Sequence, residues 1–240
     1  RHVGDAVLRL RLARLPGRTA ELVERHPRGI GAEAGQDLDI LDRQEQFFLA
    51  VIDQAQAVMR RACHVQGGQT VAAVAKAAKE RWGITFTSVE PFNEPMSDWW
   101  FADCKQEGCH FSRDAQAKIL PLLRSELDQR QLESLAIAAS DETHYDHAVD
   151  TWKSFGPETK ALISQVNVHG YQYAGGKRDE LHRLTVIEDR KKLWNSEYGD
   201  GDASGLELAR NLHRDMRWLH PTAWCYWQPT DGGGWGLLDC

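Results

Sequence analysis

The chain has 240 residues, of which 42% are hydrophobic and 27% charged, and its formal net charge is −6 at pH 7. This composition is typical of a globular domain. The negative charge, without a basic stripe interleaved with aromatics, argues against a nucleic-acid partner. No apolar run approaches the roughly 20 residues that span a bilayer, so we expect no membrane partner. Nine tryptophans are present, and none precedes Trp82.

The N-terminal segment, 1–70, gives few clear elements. We predict one strand over 6–15, a loop over 25–36 and a helix over 44–61. The chain opens on Arg1 with an Arg-rich stretch that lacks the apolar core and cleavage site of a signal peptide. We therefore expect the first residues of the natural protein to be missing.

From about residue 70 onward, helical and strand patterns alternate along the chain. The predicted strands are 84–89, 134–139, 163–168, 192–196 and 223–227. The predicted helices are 71–82, 114–127, one opening from a loop within 141–152, 179–190 and 204–219. The later strands follow one another at intervals of about 30 residues, which is the length of a βα unit with parallel strands.

These elements predict an α/β fold, a (β/α)8 TIM-type barrel of which the last five strands are clear. Residues 71–240 supply strands four to eight, and 1–70 is a poorly matched, degenerate first part with one strand where three are needed. The chain also ends shortly after the last predicted strand, without a closing helix. We therefore expect an incomplete barrel.

Two glutamates follow two of the predicted strands. Glu94 lies in VEPFNEP at 89–95, and Glu197 lies in KLWNSEYG at 192–199. Because the carboxyl ends of barrel strands form the active-site face, we expect the two side chains to meet there. Retaining glycosidases use such a pair about 5–5.5 Å apart: one protonates the leaving oxygen and the other attacks the anomeric carbon. The pattern predicts a sugar-cleaving site.

Each glutamate is assigned one role. Glu94 is the candidate acid/base and Glu197 the candidate nucleophile, so their surroundings must separate the two pKa values. His169 and Tyr171 end the neighbouring strand and are the candidate donors to Glu197. Asn93 is expected to hydrogen-bond the sugar 2-hydroxyl, an interaction that strengthens in the transition state.

Aromatic side chains near the strand ends are candidate sugar platforms. Trp227 ends the last predicted strand and is expected to lie beneath the sugar at the cleavage point, with Gln228 contacting a hydroxyl. Trp99 and Trp100 lie in the insertion 96–112, which we expect to form a loop above the site. They are candidates for neighbouring subsites, with core packing as the alternative for one of them.

The remaining polar residues give weaker indications. Asp200 and Asp202 are expected to form a turn rather than a metal site, and the pairs at 141–142 and 144–145 are expected to form cleft wall. Cys104 and Cys109 flank a short polar loop that a disulfide can close in a secreted protein. They have no second pair with the spacing of zinc ligands. We predict no metal.

Together these residues resemble glycoside hydrolase family 30, within the clan whose barrels carry Asn-Glu on the fourth strand and Glu on the seventh. The similarity covers about residues 71–238. It is most specific in SVEPFNEP at 88–95, QEGCHF at 106–111, VHGY at 168–171 and WNSEYG at 194–199. The QEGC block is most similar to fungal endo-β-1,6-galactanases of that family.

The resemblance implies a secreted enzyme that hydrolyses the polysaccharide β-1,6-galactan with retention, without metal or organic cofactor. Glu94 would then be the acid/base and Glu197 the nucleophile. Family members also have three more strands and a β-sandwich, which this sequence does not match.

Two other functions are alternatives to a galactanase, and a third lacks the motif it needs. The first alternative is another β-glycosidase of the same family, of xylanase or glucosidase type. The second is a truncated, catalytically silent fragment that binds sugar. A nucleotide-binding protein would need a Gly-rich phosphate loop between an early strand and a helix, and the glycines at 232–234 follow the last strand instead.

Overall fold

The computed structural model describes residues 64–101, 109–231 and 233–239. The elements predicted within 1–61, Cys104 and the middle of the insertion lie outside these ranges. The helices are α1 (His64–Trp82), α2 (Arg113–Gln129), α3 (Tyr145–Ser154), α4 (Pro157–Leu162), α5 (Arg178–His182) and α6 (Leu206–Arg214). The strands are β1 (Ser88–Val89), β2 (Ala136–Glu142), β3 (Ile163–His169), β4 (Lys192–Glu197), β5 (Ala223–Trp224), β6 (Thr230–Asp231) and β7 (Leu238–Asp239).

Five parallel strands form one curled sheet in the order in which the chain visits them. β1 pairs with β2, β2 with β3, β3 with β4 and β4 with β5. A helix crosses over between each pair of neighbours, as parallel strands require. The described residues therefore form an incomplete (β/α)8 barrel, and the predicted fold class is confirmed.

The central strands are buried along almost their whole length, which is typical of a parallel sheet covered by helices. In β2 only Ala136 is partly exposed, and in β3 only Ser164 is exposed. The helices α1 and α2 pack against each other over small and branched apolar side chains, among them Ala72, Leu120 and Leu123. No helix within the described ranges combines the length and apolarity needed to cross a bilayer.

Several element boundaries differ from the sequence prediction. The first and last barrel strands are shorter: β1 occupies only 88–89, and β5 only 223–224. Backbone bonds continue past β5, however, because Cys225 N–H donates to Asn195 C=O and Trp227 N–H to Tyr198 C=O. The short helix α4 and the β6–β7 pair were not predicted. The helix predicted over 71–82 extends back to at least His64.

Two helices continue into π-helical turns, Arg183–Glu188 after α5 and Asp215–Leu219 after α6. The sequence predicted uninterrupted helices there, because an apolar pattern does not distinguish the wider turn. A π turn shifts the following side chains around the axis and is commonly kept for a specific contact. Here the second turn begins with Asp215, which is fully buried.

The Asp215 carboxylate receives five hydrogen bonds from five elements. The donors are Tyr145 Oη (2.7 Å), Arg178 Nε (2.6 Å), Asn195 Nδ2 (2.6 Å), Asn211 Nδ2 (3.1 Å) and Trp224 Nε1 (2.8 Å). The Arg178 guanidinium also lies over the Tyr145 ring, 4.0 Å from its centre. A buried carboxylate that is both paired and hydrogen-bonded in this way fixes the helices α3, α5 and α6 against β4 and β5.

We expect Asp215→Asn to lower the free energy of unfolding by about 3–5 kcal/mol, because it leaves the Arg178 charge buried without its partner. Chemical denaturation measures this change. The matched control is Asp150→Asn, which breaks the exposed pair of Asp150 with Arg113 and should cost at most about 1 kcal/mol. Equal losses in the two variants would contradict a structural role for the Asp215 cluster.

Candidate active site

The carboxyl ends of four neighbouring strands bring four ionisable side chains together. Glu94 follows β1, Asp141 lies near the end of β2, His169 ends β3 and Glu197 ends β4. Glu94 is 6% exposed and Glu197 7% exposed. One carboxylate oxygen from each glutamate and one ring nitrogen of His169 all lie within 4.8 Å of one another. The structure thus brings the two predicted glutamates to one place.

The backbone at Glu94 is held in an unusual conformation. Its φ is +47°, in the left-handed region that non-glycine residues seldom occupy. Glu94 N–H donates to Asp141 C=O at 2.8 Å, and Glu94 C=O accepts from Trp100 Nε1 at 2.8 Å and from Ser97 N–H at 3.0 Å. Such a conformation costs on the order of 1–3 kcal/mol, and these contacts hold the residue in it.

His169 lies at the centre of the cluster and is fully buried. Its Nδ1 is 2.9 Å from Glu94 Oε1 and 3.6 Å from Glu197 Oε1, and its Nε2 is 3.2 Å from Asp141 Oδ2. The sequence predicted His169 as a donor to Glu197, but Glu94 is the closer partner. Glu197 is the register partner of His169 on the adjacent strand β4, but Glu94, which follows β1, lies nearer to the imidazole ring.

The surroundings keep His169 protonated. Burial opposes the charged imidazolium, but the carboxylates of Glu197 and Asp141, with hydrogen bonds to Asp141 and Glu94, raise the pKa of His169 to about 10. Both ring nitrogens then carry a proton and both face carboxylates. One buried cation therefore bridges three acidic side chains.

Tyr171 reaches Glu197, as the sequence predicted. Its phenol Oη donates to Glu197 Oε1 at 2.8 Å, and the neighbouring Gly170 N–H donates to the Glu197 backbone C=O at 2.7 Å. The Tyr171 ring also packs edge-on against His169, with ring centres 5.7 Å apart. The two glutamates thus have different main donors, an imidazolium for Glu94 and a phenol for Glu197.

Among the described residues, Glu94, His169 and Glu197 form the one group of three side chains close enough to ligate a metal ion. The observed contacts of His169 with Glu94 and Asp141 account for the cluster as an ion-pair network. The absence of a metal remains a prediction.

Asp141 has a larger part in the site than the sequence indicated. The sequence predicted cleft wall at 141–142 and 144–145. This was wrong for Asp141, Glu142 and Tyr145, which are fully buried, whereas His144 is half-buried. Asp141 Oδ1 accepts from Ser196 Oγ at 2.5 Å, while Oδ2 faces His169 and the backbone C=O binds Glu94 N–H. Only the positive φ of +57° at this position sets it apart locally, and the sequence gives no signal of it.

Glu142, the last residue of β2, points away from the glutamate pair into the helical layer. Thr151 Oγ1 donates to its Oε1 at 2.7 Å, and Gln116 Nε2 and Met96 N–H donate at 3.4 Å. Burial raises the pKa of Glu142 to about 7, and these hydrogen bonds oppose the rise. Its contact with Met96 ties the chain just after Glu94 to β2.

The predicted contacts around Glu94 lie close to it. The amide oxygen Oδ1 of Asn93 is buried and has no hydrogen-bond partner within the described part of the chain, so it is available to accept from a bound hydroxyl. Trp100 is half-buried and its indole N–H binds the Glu94 carbonyl. Trp99 packs against Trp100 with ring centres 6.2 Å apart. Trp100 therefore supports the backbone at Glu94. This matches the alternative of a structural role that the sequence analysis gave for one of the two tryptophans.

The last barrel strand brings Trp227 beside Gly199, two residues after Glu197. A Cβ atom on Gly199 would lie 3.4 Å from Trp227 Cβ and 3.2 Å from Trp235 Cε3, so both tryptophans lie against this backbone. Trp235 was not predicted as a site residue. Gln228 is half-buried beside Trp227, and its backbone C=O accepts from Leu237 N–H at 3.0 Å.

The turn predicted at Asp200 and Asp202 is confirmed. Asp202 N–H donates to Asp200 Oδ1 at 2.8 Å, and the Asp202 carboxylate accepts from Ser204 N–H at 3.0 Å and Glu207 N–H at 3.1 Å. These bonds satisfy backbone donors at the start of α6, which is the usual role of an aspartate before a helix.

Comparisons of the sequence and of the fold with known proteins found similar proteins. No family model matches the chain. An endo-β-1,6-galactanase of Hypocrea rufa is 51% identical to it over 168 residues, which cover 70% of this chain and 35% of that protein. The chain therefore spans about a third of the length of the curated relative that it matches.

Solved structures share the fold at low identity. A conserved exported protein from Bacteroides fragilis aligns over 72% of this chain and 43% of its own, with a TM-score of 0.58 and 18% identity. A family 30, subfamily 8 xylanase from Clostridium acetobutylicum gives 0.55 and 18%, over 73% of this chain and 42% of its own. An endo-β1,6-glucanase gives 0.54 and 19%, over 73% and 40%. The chain has the galactanase-like fold of glycoside hydrolase family 30, and the predicted resemblance is confirmed.

The charge on His169 predicts a pH dependence of stability. The pKa of His169 is raised from 6.5 to about 10, so the stability it contributes is complete below pH 6.5 and is lost as the pH rises through about 10. Asp141→Asn removes one of the carboxylates that sustain it. We expect the difference in Tm between wild type and Asp141→Asn to be largest near pH 6.5 and to narrow toward pH 10.

Thermal melts of both proteins across this pH range measure the difference. Asp150→Asn is the control, because Asp150 lies in an exposed ion pair and its small effect should not change over the same range. A difference for Asp141→Asn that stays constant with pH would show that its carboxylate does not stabilise a protonated His169.

Proposed function

We propose that the chain is the catalytic part of a retaining glycoside hydrolase that cleaves β-1,6-galactan, with Glu94 as acid/base and Glu197 as nucleophile. The observation that carries the proposal is the approach of the two buried glutamates to within 4.8 Å, oxygen to oxygen. Retaining enzymes hold their carboxyl groups about 5–5.5 Å apart, whereas inverting enzymes need about 6.5–9.5 Å to admit a water. The observed separation favours retention.

The reaction proceeds in two displacements on this geometry. In the first, the Glu94 carboxylic acid gives its proton to the glycosidic oxygen as the Glu197 carboxylate bonds to the anomeric carbon and the leaving group departs. In the second, the Glu94 carboxylate takes a proton from water, whose oxygen attacks the anomeric carbon and releases Glu197. Proton and electron pair return to their starting places.

The net charge of the site stays constant through this cycle. Before the first displacement the proposed roles require the charge on Glu197 and the proton on Glu94, and in the covalent intermediate Glu94 is ionised and Glu197 is an uncharged ester. The pair thus carries one negative charge at each stage. The His169 imidazolium lies 2.9 Å from one glutamate and 3.6 Å from the other, so one fixed cation balances the charge on either of them.

The substrate assignment rests on the galactanase relative, which is 51% identical over 168 residues. The xylanase and the endo-β1,6-glucanase share only the fold, at 18% and 19% identity. We therefore propose a β-linked polysaccharide, and specifically β-1,6-galactan, as the substrate. Export from the cell is part of the same proposal, since polysaccharides lie outside it and one structural neighbour is an exported protein.

Glu197→Gln is expected to abolish hydrolysis while leaving the fold intact, because the amide is isosteric but lacks the charge that attacks the anomeric carbon. Reducing-sugar release from β-1,6-galactan, xylan and β-1,6-glucan measures activity and bond preference together, and a circular-dichroism melt checks the fold. Glu80→Gln, on the exposed face of α1, is the matched control and should be fully active. Unchanged turnover by the Glu197 variant would rule out the nucleophile assignment.

Glu94→Ala is expected to reduce turnover according to the leaving group. With galactan, whose leaving alkoxide needs a proton, the loss should be on the order of a hundred- to ten-thousand-fold, the usual contribution of general acid catalysis. With an activated aryl β-galactoside the first displacement needs little help. A series of aryl galactosides whose leaving phenols become progressively less acidic measures this dependence. An equal loss of turnover for every member of the series would contradict the acid role.

A further inference from the structure

Trp235 presents an aromatic face beside the glutamate pair that the roles described above do not use. It lies between β6 and β7 and is 45% exposed. Its ring packs edge-on against Tyr171, with ring centres 6.4 Å apart. Tyr171 in turn donates to Glu197. Trp235 therefore packs against the residue that hydrogen-bonds the proposed nucleophile.

The ring is held in place rather than hanging from a loose loop. Trp235 N–H donates to Asp231 Oδ2 at 3.0 Å, and Leu237 N–H donates to Gln228 C=O at 3.0 Å. The β6–β7 pairing closes the segment on itself. The backbone of Gly199 supports the ring from below, since a Cβ there would meet Trp235 Cε3 at 3.2 Å. One edge of the indole is thus packed while a large part of it faces solvent.

The position of Trp235 sets its distance from the reacting centre. Gly199 is two residues from Glu197, so the two Cα atoms are at most about 7 Å apart. The Trp235 ring rests on Gly199 and packs against Tyr171, which donates to Glu197, so it lies near the proposed nucleophile. On the other side of Tyr171, Tyr173 is also exposed, with ring centres 6.5 Å apart.

We propose that Trp235 is the platform of a sugar subsite next to the cleavage point, and that its ligand is a second galactosyl unit of the chain. The inference rests on the proposed function. The axial hydroxyl of galactose leaves three adjacent C–H bonds on one face of the ring, an apolar patch that stacks on an indole. The subsite makes the enzyme prefer chains over single galactosides.

Calorimetric titration of the full chain carrying Glu197→Gln tests the subsite without consuming the ligand. The probes are β-1,6-linked galactotetraose and methyl β-galactoside. Adding Trp235→Ala should weaken tetraose binding by about tenfold, the order expected when one aromatic contact of about 1.4 kcal/mol is lost. Binding of the methyl galactoside should not change. Trp235→Phe keeps a ring over Gly199 and should recover most of the affinity, which separates stacking from a general loss of structure.

Trp218→Ala is the matched control. Trp218 is 49% exposed. It lies in the π-helical turn that leads into the amino end of β5, whereas the glutamates lie at the carboxyl ends of the strands. It should bind the tetraose normally. Equal affinities for the Trp235 and Trp218 variants would overturn the subsite, as would an equal loss for both sugars or no tetraose binding by any variant.

Hydrolysis by the wild-type chain, assayed separately, distinguishes this inference from the proposed function. If the chain cleaves galactan but its tetraose affinity does not depend on Trp235, the subsite proposal is wrong and the proposed function is supported. Trp235-dependent tetraose binding by a chain that does not cleave galactan leaves the subsite and removes the function.

Discussion

The site depends on one buried cation, the His169 imidazolium, set among three acidic side chains at the ends of neighbouring strands. Buried carboxylates that approach this closely repel one another, and a charge without a partner in the interior is costly. His169 offsets that repulsion because both of its ring nitrogens face acidic side chains, at 2.9 Å from Glu94 and 3.2 Å from Asp141. The same contacts stabilise the acidic cluster and hold the two glutamates close to each other.

The parallel sheet supplies this arrangement, and β4 joins it to the rest of the fold. Three consecutive residues of that strand make three different contacts: Asn195 donates to the Asp215 carboxylate, Ser196 donates to Asp141, and Glu197 accepts from Tyr171. The buried Asp215 cluster thus anchors the helices behind the strand that carries the proposed nucleophile. Rigid support of this kind keeps reacting groups within the small tolerance that catalysis requires.

The sequence predicted the parts of this structure that local patterns encode. Apolar runs predicted β2, β3 and β4 to within about three residues, the usual uncertainty of boundaries. The polar residues that follow the predicted strands predicted that Glu94 and Tyr171 lie close to Glu197. The networks were missed, because their partners are far apart in the chain: Glu94 and His169 are 75 residues apart, and Tyr145 and Asp215 are 70. Burial of Asp141 and the support of Trp235 by Gly199 likewise depend on tertiary contacts with no local signal.

The proposed acid role of Glu94 assigns its proton to one of the two carboxyl oxygens. Oε1 accepts from the protonated Nδ1 of His169, and an oxygen that accepts this bond is the carbonyl oxygen of the acid. The proton therefore belongs on Oε2, and the fixed backbone at φ +47° determines where that oxygen points. Glu197 is oriented in a similar way, because Tyr171 Oη occupies its Oε1. The protein thus holds one oxygen of each glutamate, so the groups to which the proposal gives the two roles are positioned before a substrate binds.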